Sequence, residues 1–423
     1  MSQTSLKLTM IGPSGTGKSC YLYATYFRML EGVAGFNFNC KDYNQARELA
    51  SAWEVVLGDG VWPPGTDSSE EYRFACMKDG ARIGEFSWLD YRGGLLNETG
   101  GNQKEVDDFL ARACSSDAIL ACVPADAILA TRSESGKRNN QWGRIKVGLL
   151  GALAAIYQTT SLPSLIFLVT KSDLCKSPED GRYCVETIRS TFAQYFSGKP
   201  KYAMVAATRM GRFSDDVVAF GQGEKIDGVV DPTNVHLPIL FPFWKKAKDE
   251  QKEIVGRARG KRTVAERAYN EALTQLEAAR VEKEKAEEIV KKPKNNLLLA
   301  LSLIVAIVSG VMLLYGSYTE LEALVLIAFV TGSFACLSFI LCLGKKDYEK
   351  QMYEKRKGTF DEKQNLADAA LQEWERAKNA LEAVETGGSA TAALADAIWR
   401  ELDGRVDLYE DGKRILNASG VEG

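Results

Sequence analysis

The sequence predicts an α/β domain over residues 1–245, then a helical stalk that carries a two-helix transmembrane hairpin. Three observations lead there. A GxxxxGK[ST] loop stands between a short apolar run and a helical stretch near the start of the chain. Two uncharged apolar runs lie near residue 300. Lys/Glu/Ala-rich segments with apolar positions three and four apart flank those runs on either side.

The loop comes first in the chain. "SLKLTMI" (5–11) has β character, and "CYLYATYFRMLEG" (20–32) reads as a helix ending at Gly32. A strand before and a helix after is the context in which GxxxxGK[ST] binds phosphates. Gly12, Ser14, Gly15, Thr16, Gly17, Lys18, Ser19 and Cys20 form the cradle. Its glycines let several N–H groups point at the phosphates, and the helix N-terminus adds partial positive charge. Lys18 would reach the β- and γ-phosphates, and Ser19 would ligate Mg2+.

Composition narrows the field. The 423 residues suggest two or three domains, and a net charge of −3 gives no global basic field for nucleic acid. Nine cysteines without CxxC spacing read as reduced, core-filling thiols, with no amino-terminal signal peptide expected. A single histidine, His236, excludes His-rich metal sites and makes a Ser-His-Asp triad improbable.

The segment 72–94 reads as a hairpin: strand 72–77, a turn at Lys78-Asp79-Gly80, and strand 81–89. The second strand runs into Asp90-Tyr91-Arg92-Gly93, a DxxG. An Asp at a strand's carboxyl end can hold Mg2+ through water, and the Gly93 N–H can meet a γ-phosphate. Thr66, in the Pro/Gly-rich loop upstream, could close over Mg2+ and the γ-phosphate; as a plain turn residue it would do neither.

"DAILACVPAD" (117–126) is a further buried strand, 140–158 is helical, and "SLIFLVTKSD" (164–173) is a strand ending in Thr170-Lys171-Ser172-Asp173. A carboxylate at Asp173 can accept from the N1 and N2 of guanine, a donor pair that adenine lacks. The Lys171 stem would lie over the ring. The bland alternative is a strand end with a Lys–Asp surface pair. "KYAMVAAT" (201–208) supplies the last strand, with the Ala207 and Thr208 backbone facing the base oxygen.

Taken in order, phosphate loop, Thr66, DxxG, TKxD and AAT resemble the motifs of TRAFAC-class P-loop GTPases with a Ras-like core, over residues 5–245. The "WPPGT" loop and "NVHLPILFPFW" look similar to the bacterial double-GTPase group of conflict and effector systems. The resemblance implies a mostly parallel sheet with one antiparallel edge strand. It further implies Mg2+-dependent GTP and GDP binding, catalytic roles for Lys18, Thr66, Asp90 and Gly93, metal ligation by Ser19, Thr66 and Asp90, and switches at Thr66 and 90–101. Two departures stand out. Thr170 replaces the usual Asn of NKxD. Gly94 stands where many such GTPases place a water-orienting Gln, so hydrolysis is expected to be slow or to use Arg92, another loop or a partner.

From 246 the composition changes. Stalk helices are expected over 246–294 and 345–385, with seams at Ala265, Tyr269, Ala272, Leu276, Ala279, Ala286 and Val290 and at Phe360, Ala367, Ala370, Trp374, Ala377, Leu381 and Val384. Together these read as an antiparallel coiled coil. Between them, 297–315 and 323–343 are uncharged runs of 19 and 21 residues, each long enough to span the ~30 Å hydrocarbon core. The hairpin (295–344) has Lys at its open end and Glu320 and Glu322 in its loop, which places both termini in the cytosol at a bacterial inner membrane. The tail, 386–423, reads as one helix and a short return element without an assigned role.

These readings predict a membrane-anchored GTPase switch that recruits a cytosolic protein. The alternatives are a dynamin-like membrane remodeller and a hairpin-oligomerising membrane-disrupting effector. Expected partners are the lipid bilayer, a second copy of the chain and an unknown cytosolic protein, with no nucleic acid.

Overall fold

The computed structural model describes residues 4–62, 69–91, 103–133, 140–158, 162–213, 226, 228–291, 346–386 and 390–418. They divide into two units, 1–249 with 390–423, and 250–389.

In chain order the first unit contains β1 (Thr4–Ile11), α1 (Lys18–Glu31), β2 (Phe36–Cys40), α2 (Tyr43–Glu54), β3 (Glu70–Lys78), β4 (Ala81–Asp90), α3 (Gln103–Cys114) and β5 (Ala118–Pro124). There follow α4 (Ala125–Leu129), α5 (Gln141–Ile156), β6 (Ser164–Thr170), α6 (Pro178–Thr191), β7 (Tyr202–Ala207), β8 (Arg209–Phe213) and β9 (Gly228–Thr233). Helix α7 (Leu237–Lys291) begins in this unit and continues into the second, and α8 (Lys346–Glu385) belongs to the second. The chain then returns to the first unit with α9 (Ala390–Leu402), β10 (Val406–Glu410) and β11 (Lys413–Leu416).

The main sheet runs β11-β10-β7-β6-β5-β1-β4-β3-β2. Its centre, β7 to β4, is parallel. The sequence accounts for this: β5 (AILACVP) and β6 (SLIFLVT) are apolar almost throughout and wholly buried, the signature of strands covered on both faces. Their side chains alternate between two cores. Leu120, Cys122, Ile166 and Leu168 face a core with α1, α2 and the start of α7; Ile119, Val123, Phe167 and Val169 face one with α3, α5 and α6. The hairpin predicted over 72–89 is present as β3–β4, turning at Asp79 (φ 48°) and Gly80 (φ 78°). Its inner face is an aromatic ladder, with Phe86 5.0 Å from both Phe38 and Phe74.

One expected antiparallel edge becomes two. Besides β3 and β2, β10 pairs antiparallel with β7, Leu408 opposite Met204, and β11 follows it. The tail left without a role in the sequence therefore completes the sheet. Trp399 stacks on Trp244 at 5.2 Å, Lys248 pairs with Glu410 at 2.7 Å, and the Tyr202 hydroxyl donates to Glu410 at 2.9 Å.

In the second unit α7 and α8 run antiparallel. Gln251 Nε2 donates to the Val384 carbonyl at 2.9 Å, and the Tyr269 and Trp374 rings stack at 5.7 Å. Ala265, Ala279, Ala367, Ala370 and Leu381 are buried along the seam. So is Lys363, which the periodicity had not placed there.

The membrane expectations are corrected. Among the described residues no helix is long and apolar enough to cross a membrane. The apolar runs 297–315 and 323–343 lie outside the described residues. The long helices that are described carry exposed ions such as Arg257, Arg259 and Glu385, side chains that hydrocarbon does not solvate. The transmembrane hairpin, the bilayer as partner and the two-span inner-membrane localisation therefore have no structural support.

Candidate functional site at the strand ends

The phosphate loop joins β1 to α1. Gly15 (φ 77°) and Gly17 (φ 82°) hold left-handed backbone, which glycine adopts at little cost. A Cβ on Gly12 would come 2.8 Å from Thr16 Oγ1 and 3.2 Å from the Cys122 carbonyl oxygen, so the chain passes too close there for any side chain. Lys18 is buried, and its Nζ donates to the carbonyls of Gly12 at 2.9 Å and Pro13 at 3.0 Å. Burial pulls its ammonium below the usual lysine range, opposed by Cys122 and Asp90. An amine held against two carbonyls, short of charged partners, is poised for anionic oxygens.

Thr170, where NKxD has Asn, reaches the phosphate loop. Its hydroxyl donates to the Thr16 carbonyl at 2.6 Å, and the Thr16 hydroxyl donates to the Pro13 carbonyl at 2.9 Å. A side chain at the end of β6 thus ties down the loop after β1. Nothing local in the sequence reports a bond across so long a separation.

Asp90 ends β4 beside the loop. The Ser19 hydroxyl donates to its Oδ2 at 2.9 Å, while its Oδ1 is buried without a partner among the described residues. Burial lifts the carboxyl to about 6, with Lys18 and the Ser19 hydrogen bond pulling it down and Glu70 pushing it up. A hydroxyl joined to a carboxylate that has an unspent oxygen is a hard-oxygen donor set of the kind Mg2+ takes. No group of three or more His, Cys, Asp or Glu side chains with metal-binding geometry occurs among the described residues. Ser19 and Asp90 would therefore share the ion with phosphate and water.

Asp173 lies in the short turn Ser172–Leu174 that follows β6. Lys171 enters this turn at φ 54°. Asp173 Oδ1 accepts from the Met210 N–H at 3.3 Å, and Oδ2 is buried without a partner among the described residues. Burial raises its carboxyl, with the Met210 N–H opposing. Lys171 Nζ donates to Asp126 at 2.9 Å. The Ser172 hydroxyl donates to the Thr208 carbonyl at 2.8 Å, and the Thr208 N–H is already given to the Val169 carbonyl at 2.9 Å. Ala207 closes β7 alongside Val169.

Cys20 sits in the first turn of α1. Burial pushes its thiol up to about 12 against a smaller pull from Lys171, which leaves it a neutral lining group. Ser14 and Gly15 occupy the loop crest. Thr66 and Gly93 lie outside the described residues.

The structure therefore gathers the phosphate loop, Ser19, Asp90 and Asp173 at the carboxyl ends of β1, β4 and β6, where open parallel sheets bind ligands. Sequence reasoning missed Asp126, Met210 and Glu70. Asp126 did carry a signal, an acidic residue just past the carboxyl end of a fully buried strand. Met210 contributes only its backbone, which no residue type announces.

No family model matches the chain, and no curated protein matches it in sequence.

Proposed function

We propose that the chain is a Mg2+-dependent P-loop GTPase with a Ras-like core, a slow hydrolase whose nucleotide state acts as a switch toward a protein partner. One observation carries this reading. Two buried carboxylate oxygens, Asp90 Oδ1 and Asp173 Oδ2, have no partner among the described residues; they lie at the carboxyl ends of β4, next to the β1 strand that leads into the phosphate loop, and of β6, two strands from β1 on the other side. Buried acceptors cost free energy unless paired. A cation would satisfy the first and a guanine N1–H/N2–H pair the second. Adenine offers no such pair of donors, which favours guanine.

In this reading Lys18 exchanges the Gly12 and Pro13 carbonyls for the β- and γ-phosphate oxygens. Ser19 and Asp90 hold the ion. Thr170 keeps the loop in shape, and Lys171, oriented by Asp126, covers the base. Gly94 has no side chain with which to orient water, so turnover is expected to be slow.

The test is the affinity of the full chain for GTP, GDP and ATP with Mg2+, beside Lys18→Ala and Asp173→Ala. Guanine binding lost in both variants supports the reading. Preference for ATP, or indifference to Asp173, refutes it.

A further inference from the structure

The hairpin register sets Glu70, the first residue of β3, directly opposite Asp90, the last of β4. Directly opposed residues of an antiparallel pair project to the same face with Cβ atoms about 5 Å apart. Two carboxylates thus stand side by side at the mouth of the nucleotide site. Like charges in that relation destabilise a sheet. A cation beside them reverses the sign.

Glu70 is also held. The Tyr72 hydroxyl, two residues along the same face, donates to its Oε2 at 2.5 Å. Tyr72 is itself buried, its ring stacked on Phe74 at 6.4 Å. It fixes one oxygen of an otherwise exposed carboxylate and leaves Oε1 without a partner among the described residues. Tyr23 of α1 stands in the same field; burial first, then Asp90, Cys20 and Glu70, push its hydroxyl up to about 12. The second, independent sign of a ligand is Asp90 itself, 2 % exposed, bonded through Oδ2 to Ser19 and with Oδ1 unpartnered among the described residues.

We propose that Glu70 is a positioning residue for the nucleotide's divalent cation, its Tyr72-anchored carboxylate accepting hydrogen bonds from the cation's water ligands beside Asp90. This rests on the nucleotide reading above. Mg2+ dehydrates reluctantly and keeps several waters when a protein supplies few ligands. Those waters need acceptors, and Glu70, opposite Asp90 in the hairpin, would supply one. Partners at this remove orient the inner ligands and tune metal affinity by about 10- to 100-fold.

The experiment uses the full chain loaded with a fluorescent guanine nucleotide. Its dissociation rate is followed against buffered free Mg2+ and again in chelator. Variants are Glu70→Gln, Tyr72→Phe and, as a positive control, Asp90→Asn. Glu70→Gln is expected to raise the Mg2+ midpoint about tenfold and to leave metal-free affinity within about twofold of wild type. Tyr72→Phe shifts the midpoint the same way by less. A midpoint within twofold of wild type in Glu70→Gln, while Asp90→Asn is displaced, overturns the proposal. So does an equal loss of metal-free affinity, which would make Glu70 a partner for Tyr72 and nothing more. If wild type shows no Mg2+ dependence at all, the nucleotide reading itself fails, and that is seen before any variant is compared.

Discussion

Leu408→Ala tests whether the returning tail is part of the nucleotide-binding unit. Leu408 is fully buried in β10, opposite Met204 of β7, in the core that also holds Ile398 and Leu402 of α9. Its neighbours belong to three separate stretches of chain, so the site cannot collapse around a smaller side chain. Truncating a buried leucine in such a setting costs about 2–5 kcal/mol. Against a total stability of about 5–15 kcal/mol that is a large fraction. At roughly 2–4 °C per kcal/mol for a domain of this size, the melting temperature should fall by about 5–15 °C. The assay is thermal unfolding of the full chain with and without guanine nucleotide, with Lys413→Ala on exposed β11 as control. A fall confined to Leu408→Ala, and partly reversed by nucleotide, is the expected result. A melting temperature within 2 °C of wild type, at about the precision such shifts are read, would show that β10 is not integrated into the sheet and would refute the argument.

Three further outcomes follow from the geometry. Asp173→Asn replaces an acceptor by a mixed donor–acceptor, so guanine loses two charge-assisted hydrogen bonds worth about 1.5–3 kcal/mol each; calorimetry should show GDP weakened by at least about 100-fold and the xanthine nucleotide, with its extra carbonyl, strengthened. Gly12→Ala places a methyl group 2.8 Å from Thr16 Oγ1 and 3.2 Å from the Cys122 carbonyl oxygen, so the loop and β5 must shift apart to admit it. Overpacking of about 1–3 kcal/mol should appear as roughly a 5- to 150-fold loss of GDP affinity, whereas Gly151→Ala, whose Cβ meets nothing within 4 Å, should be neutral or slightly stabilising. Lys363 is buried in the α7–α8 seam with no partner for its Nζ among the described residues, and burial brings its ammonium down to about 8. Its folded value lies below its unfolded one, so between pH 8 and 10.5 the unfolded chain binds more protons and stability rises with pH. Lys363→Met should therefore slow hydrogen exchange in the peptide around it at pH 7 by an amount equivalent to about 1–2 kcal/mol, after allowing for the stem reaching toward water, and should flatten the rise above pH 8.

What the sequence disclosed was local. The phosphate loop, the Asp79-Gly80 hairpin and the Asp173 turn each announce themselves within about ten residues through glycines, turn residues or the end of an apolar run. The Thr170–Thr16 bond and the Glu70–Asp90 register depend on how separate stretches meet, and no window along the chain contains both partners. The tail was legible in part. Asp411-Gly412, at φ 50° and 77°, is the same turn as Asp79-Gly80 and signals β10–β11 as plainly. What was hidden was its address, a strand edge some 200 residues upstream. Lys363 was hidden for another reason: periodicity counts polarity, and a lysine with a long apolar stem occupies a seam position that it would be scored to avoid. The membrane reading rested on the hydropathy of 297–343 and the charges around it, and among the described residues no helix is long and apolar enough to support it.

Because β10 closes the β7 edge, the sheet cannot be finished when β7 leaves the ribosome. The intervening unit, 250–389, is 140 residues long. At roughly 5–20 residues per second its synthesis alone takes on the order of ten to thirty seconds. Throughout that interval "YAMVAA" waits as an edge strand with apolar side chains on both faces and its backbone donors and acceptors unpaired on one side. Such an edge templates pairing with whatever chain is nearest, including another nascent copy on the same message. The order in which the pieces are encoded therefore sets a window of vulnerability during translation that a domain encoded without interruption would not have.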